Sequence, residues 1–449
     1  MADRYWRGGS GTWNSTNTAN WSATSGGLGG ASVPTSADDV YFNTASNAIA
    51  YTVTTSGNTT AMNCRNLSVA GPVTGSVTFS NTNSSVNIFG NLIHAASGVI
   101  WGTSVGLTLS STLAGNTITT NGFLFPNGLT FNGIGGEWSL QDALTTVTTR
   151  VVTLTNGSLN LNNYTLTCGI FSSNVNNTRT LAFSTGKIVC SGNATTVFIM
   201  AAATGLTISG SRRVEFSYTG ATGTRTIGLV STVTEASSLD YYVLGGTDIV
   251  TTTGALRGAR VLDFTGFAGT YTLATTGNCS IYGNLTFNAG MNISAAAVGF
   301  NFSGTSGTQA ITTAGKTLDL PLTFDGIGGT FVFQDALTQG ATRAFTITNG
   351  TVQLKAGATS TVGAFATSGT NQKFLQSTLA GSRATLSQAS GTVNASYLTI
   401  KDINANGGAT WNAFATNNNV NAGNNLGWDF AVQLGRYIYT VRKNKRILF

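Results

Sequence analysis

Charge is the scarcest commodity in this 449-residue chain: 22 basic and 15 acidic residues make up only 8% of it, against about 25% in ordinary soluble domains. Helical bundles and coiled coils need Lys, Glu and Arg on their solvent faces, so the deficit excludes them. Proline occurs four times beside 57 glycines, and the glycines keep no three-residue period, which excludes collagen. A single histidine, His94, gives any triad or His-based metal site at most one histidine per chain. Cys64, Cys168, Cys190 and Cys279 show no C-x-x-C or metal-ligand spacing and read as small buried side chains. No apolar run nears the roughly 18–20 residues of a membrane span, the longest being Val197 to Ala203. The opening Met1-Ala2-Asp3-Arg4-Tyr5-Trp6 has no secretion leader, so the expected site of synthesis is a reducing cytoplasm.

What the chain does have is 41% apolar residues, including 24 phenylalanines, enough to bury a core and to argue against disorder. With Thr, Ser, Asn and Gly filling most of the rest, this composition points to an all-β protein with many tight turns. A single globular core stops growing near 250–300 residues, so this length implies several domains or a repeat stack.

An internal duplication decides between those. Residues Leu129 to Leu161 realign on Leu322 to Leu354 at a constant offset of 193, with 19 of 33 positions identical. The same offset carries Ile88-Phe89-Gly90-Asn91-Leu92 onto Ile281-Tyr282-Gly283-Asn284-Leu285. Within each copy, short alternating strands begin 22 and 23 residues apart, at Leu107, Leu129 and Val152. Thr165 to Cys168 and Lys187 to Cys190 are again 22 apart. That beat fits one coil of a parallel β-solenoid (β-helix), whereas β-sandwiches give turn signals every 8–12 residues without it. The expected rod has about 20 coils and a length of roughly 95 Å at strand spacing, with Thr and Asn rows stacking along its axis. The expected segments are a cap at 1–64, solenoid copies at 65–171 and 260–365 joined by a β region at 172–259, a solenoid end and cap at 366–435, and a basic hairpin tail at 436–449.

Three tryptophans, Trp6, Trp13 and Trp21, crowd the first segment and suit an aromatic plug for the open end of a core. The opening W-x-G-G-x-G-x-W, followed by Asn20-Trp21-Ser22, Val33-Pro34 and Asp38-Asp39-Val40-Tyr41-Phe42, resembles the start of β-helical modules in bacterial surface proteins and in virion proteins of marine tailed phages. Gly407 to Ala413 and Gly423 to Phe430 resemble a closing motif of the same phage proteins. The resemblance covers both ends, about 65 residues, and implies a fibre, spike or decoration protein with no catalytic residue to carry over. It implies other virion proteins as partners, a homo-oligomer (a trimer), a location in the virion and a host surface glycan as receptor, with no membrane insertion. The missing leader favours the phage side, because virions leave by lysis.

Candidate chemistry is sparse. No cofactor motif is present, and Gly133-Ile134-Gly135-Gly136 lies between strands as turn glycine. A polysaccharide depolymerase would need two carboxylates on one flank. Glu235 and Asp240 beside Tyr241 and Tyr242 are the best pair, with Trp101, Trp138, Tyr241 and Tyr242 as sugar-stacking platforms. Asp142 and Asp335, each in Gln-Asp-Ala-Leu with an Arg eight residues on, are nearly nine coils apart on a 22-residue count and read as a repeated Asp–Arg pair or turn hydrogen bond. His94 aligns with Phe287 and reads as a packed residue. The last 14 residues hold Arg436, Arg442, Lys443, Lys445 and Arg446 with no acid, interleaved with Tyr437, Tyr439 and Phe449. This aromatic–cation mixture suits a protein-docking element better than nucleic acid, since no nucleic-acid reader fold accompanies it.

Overall fold

The computed structural model describes residues 1–55, 62–81, 85–231, 234–254 and 257–431. They form a parallel β-solenoid of about 16 turns with about 1% helix. At strand spacing the stack is roughly 75 Å long. Fewer turns appear than expected because many coils are longer than 22 residues: Val40 pairs with Leu67, Leu181 with Ile208 and Val214 with Tyr241.

Most turns contribute strands to three faces; after Thr224–Gly228 a short 3-10 helix, Glu235–Ser237, stands where the first-face strand would be. The first face runs through Asp39–Phe42, Leu67–Val69, Leu92–His94 and Asn116–Thr119. The second runs through Ser85–Ile88, Gly106–Leu109, residues 129–131 and residues 151–154. The third continues from Leu144–Thr146 through Thr165–Cys168 and Lys187–Cys190 to Val420–Asn421. Among the described strands every ladder is parallel except Asp3–Trp6 against Trp21–Ser22.

Strand alternation puts every second residue inside. The inward column Leu107, Leu129, Val152, Phe171, Phe198 and Ile227 is paired in register, and each member is at most 1% exposed. Outward positions carry the expected polar rows: Asn156 Nδ2 donates to Asn132 Oδ1 at 2.7 Å, Asn371 to Asn349 at 2.8 Å and Asn412 to Asn394 at 2.8 Å. Such rows let neighbouring coils satisfy one another's amides without charge.

Both ends are plugged. Trp6, Trp13 and Trp21 are buried around Phe42, with ring centroids 5.1–6.1 Å apart. At the far end Trp411 meets Trp428 at 5.0 Å, and both pack on Phe365. The Asn/Gly tract tiles the last edge: buried Asn419 donates to Ala395 O and Phe414 O and accepts from Leu398 N. An uncapped stack would leave apolar interior and strand edges open to solvent.

The duplicated unit is present twice but turned. Five parallel steps lead from residues 129–131 to Ile249–Thr253. The next strand, Gly258–Ala259, begins the following face, and three further steps from it reach Leu322–Phe324. The offset is therefore eight turns and one face, not nearly nine turns. Copy 1 starts on the second face and copy 2 on the first.

Candidate functional site

Charge is concentrated where the sequence is least repetitive. Residues 187–263 hold 11 of the 37 charged residues, and most of these lie on or beside the third face. Lys187–Cys190, Arg213–Phe216 and Asp240–Val243 stack in register, so Lys187, Arg213 and Asp240 form one column and Glu215 and Tyr242 the next. Lys187 Nζ donates to both Glu215 oxygens at 3.0 and 2.9 Å, and Arg213 Nε donates to Oε1 at 2.6 Å. Burial pushes the Glu215 carboxyl up, but these two cations more than offset it and leave the group below its ordinary range. The Arg213 guanidinium also lies over the Tyr242 ring, 3.9 Å from its centroid. Arg260 grips Asp240 through both oxygens, at 2.6 and 2.5 Å. The result is an ionic ladder, three cations on two carboxylates, that replaces the amide rows found elsewhere.

This geometry corrects the expected sugar-stacking platforms and acid pair. Trp101, Trp138 and Tyr241 are core residues, exposed by 3%, 0% and 0%. Trp101 stacks on Phe79 at 4.1 Å and donates through Nε1 to His94, while Trp138 Nε1 donates to Gly90 O at 3.1 Å. Their inward parity is legible in the sequence, because Trp101 shares a side with Val99, Trp138 with Leu140 and Tyr241 with Val243. Tyr242 alone points outward, half-buried, with one ring face covered by Arg213. Glu235 and Asp240 do not converge as an acid–base pair. Glu235 Oε2 accepts from Thr305 N and Oγ1 at 3.1 and 2.7 Å, and Asp240 is taken up by Arg260.

Asp142, Asp335, Asp38 and Asp39 are structural as well. Asp142 accepts from Thr120 N, at 2.8 Å for Oδ1, and from Asn121 N; Asp335 accepts from Thr313 N at 2.9 Å and Oγ1 at 3.1 Å. Of the two structural readings, the turn hydrogen bond is therefore the one present. Arg150 binds Pro126 O instead, and Arg343 binds Asp319. Asp38 closes the Thr35 turn and Asp39 pairs with Arg65. His94 is fully buried, with Nδ1 facing Ala95 O at 2.6 Å and Nε2 accepting from Trp101 at 2.9 Å. Those contacts fix the proton on Nδ1, and burial pulls the imidazole down to about 4.

Arg436, Tyr437, Tyr439, Arg442, Lys443, Lys445, Arg446 and Phe449 lie outside the described residues. Among the described residues no cluster of three or more His, Cys, Asp or Glu could hold a metal ion, and no helix is long and apolar enough to cross a membrane. Comparisons of the chain with protein-family models, with curated proteins and with solved structures each find no match.

Proposed function

We propose that this chain is a non-catalytic structural protein of a tailed-phage virion, a β-solenoid fibre or spike that presents a host-binding surface. The observation that carries the reading is the pair of aromatic plugs, built from the same terminal motifs that resemble those of phage β-helical proteins. The plugs seal the core of the stack, so that its polar faces are the surface it would present. Outward amide and hydroxyl rows give those faces low charge, and the ionic ladder around Glu215 and Tyr242 gives one of them a distinct chemical address. In this reading the rod forms a trimer, and its basic tail, residues 436–449, joins it to other virion proteins.

Antibody raised against the purified chain should label tailed particles in a virion preparation under the electron microscope. Labelling confined to host envelope fragments overturns the reading. Incubation with host polysaccharide should release no new reducing ends. Release that disappears on Asp240→Asn or Glu235→Gln would identify a depolymerase instead. Truncation after Gly435 should leave a folded rod that no longer joins particles.

A further inference from the structure

Of the four cysteines, two meet across a ladder. Thr165–Cys168 and Lys187–Cys190 pair residue for residue, which sets Cys168 directly beside Cys190 on adjacent coils. Both side chains are buried in the core, at 0% and 1% exposure. Cys64 and Cys279 instead face Ile88 and Phe300 across their own ladders. The strand ends are fixed by Ser191 N donating to Cys168 O at 2.8 Å and Gly192 N to Gly169 O at 3.1 Å. In-register parallel neighbours stand about 4.8 Å apart, within the roughly 4.4–6.8 Å Cα range that disulfides occupy. To reach disulfide spacing the β-carbons must close by about 1 Å more, so the bridge draws the two coils together at this point. The neighbouring Cys190 side chain, with burial, raises the Cys168 thiol well above its usual range.

We propose that Cys168 and Cys190 form a cross-link site, closed by a peroxide, that joins two neighbouring coils of the solenoid. One thiol attacks hydrogen peroxide, its sulfur becomes a sulfenic acid and one water leaves. The second thiol then displaces the hydroxyl from that sulfur, forming the S–S bond and releasing a second water. Two thiols and one peroxide give one disulfide and two waters, with no other reactant. Because both thiols are buried, closure is slow and follows local opening of the coil. The site does not depend on the virion reading. That reading adds only an occasion, since a chain made in a reducing cytoplasm meets oxidant after lysis.

The test treats the folded chain with hydrogen peroxide, removes the oxidant, then unfolds, alkylates, digests and maps it without reduction. The expected product is one joined peptide containing Cys168 and Cys190, lighter by two hydrogens, with Cys64 and Cys279 alkylated. Dithiothreitol should reverse it, and the oxidised rod should unfold a few degrees higher than the reduced one. Cys168→Ala and Cys190→Ala should each abolish the joined peptide and the shift. The four methionines report whether oxidant reached the protein. Methionine oxidation with both thiols still alkylated, or a bridge to Cys64 or Cys279, overturns the proposal.

Discussion

The two copies of the duplicated unit share their corners and differ in their interiors. Both place Gly-Ile-Gly-Gly at a bend between faces, yet copy 1 bends from the second face to the first and copy 2 from the first to the third. The faces are thus interchangeable, and the local stack of backbone sets the conformation. The bend in copy 1 lies over Ser111, where a β-carbon on Gly133 or Gly136 would sit 1.8 or 1.9 Å from the carbonyl oxygen. In copy 2 Gly326 and Gly329 lie over Gly304 O at 2.0 and 2.1 Å by the same construction. Inside, the copies have drifted: Trp138 is Phe331, His94 is Phe287, and Asn116 is Gln309.

Breaking the shared corner should have the largest effect, and an equal one in both copies. Gly133→Ala and Gly326→Ala each force a methyl into backbone that cannot yield, at a cost of about 3–5 kcal/mol in denaturant unfolding. A cost in one copy but not the other would show that the corners are not equivalent. Acid should then separate the copies. The His94 imidazole sits near 4 in the fold and near 6.5 when unfolded, so the unfolded chain binds the extra proton between those values. The depressed value means full stability above about pH 6.5, lost as the pH falls toward 4, on the order of 3 kcal/mol in all. Hydrogen exchange at pH 4.5 should quicken around residues 92–125 before residues 285–318. His94→Phe, the residue of copy 2, should remove that part of the pH dependence. An unchanged slope in that variant would refute the assignment.

The turn carboxylates sharpen the contrast on a smaller scale. Asp142 serves two backbone N–H groups, Asp335 one N–H and one hydroxyl. Asp142→Ala should therefore cost about 2 kcal/mol and Asp335→Ala about 1 kcal/mol, read from chemical unfolding midpoints. Equal losses would mean that the second backbone bond contributes no more than the Thr313 hydroxyl bond.

The solenoid was legible because its period survives in the sequence. Leu107, Leu129 and Val152 start their strands one coil apart and do pair in that register. The plugs were legible too, since tryptophans crowded among glycines have few other uses at the end of a stack. The ionic ladder was not, because its partners lie a coil apart and coil length varies there. A constant spacing of 22 would set Lys187 opposite Ser209, whereas a longer coil brings Arg213 beside it and Glu215 into reach, 28 residues on. The sugar platforms failed for a different reason. Aromatic identity alone suggests a stacking platform, whereas strand parity sends Trp101, Trp138 and Tyr241 inward.

The smallest predicted effect concerns a matched change between the copies. In copy 1 Asn116 Nδ2 donates to Leu113 O at 2.6 Å and Glu137 O at 2.9 Å, with Ser111 beside it. In copy 2 the equivalent pair is Gly304 and Gln309, and neither amide atom of buried Gln309 has a partner. The longer side chain occupies the space of the lost serine: a β-carbon on Gly304 would lie 2.1 Å from Gln309 Nε2. Gly304→Ser alone should therefore destabilise, by crowding that amide. Gln309→Asn alone should bring the amide back within reach of the Ser306 and Thr330 carbonyls and gain about 1 kcal/mol. The double variant recreates copy 1, so it should be more stable than the two single effects predict, by about 1 kcal/mol or more in a double-mutant cycle. Simple additivity would mean that positions 304 and 309 do not interact.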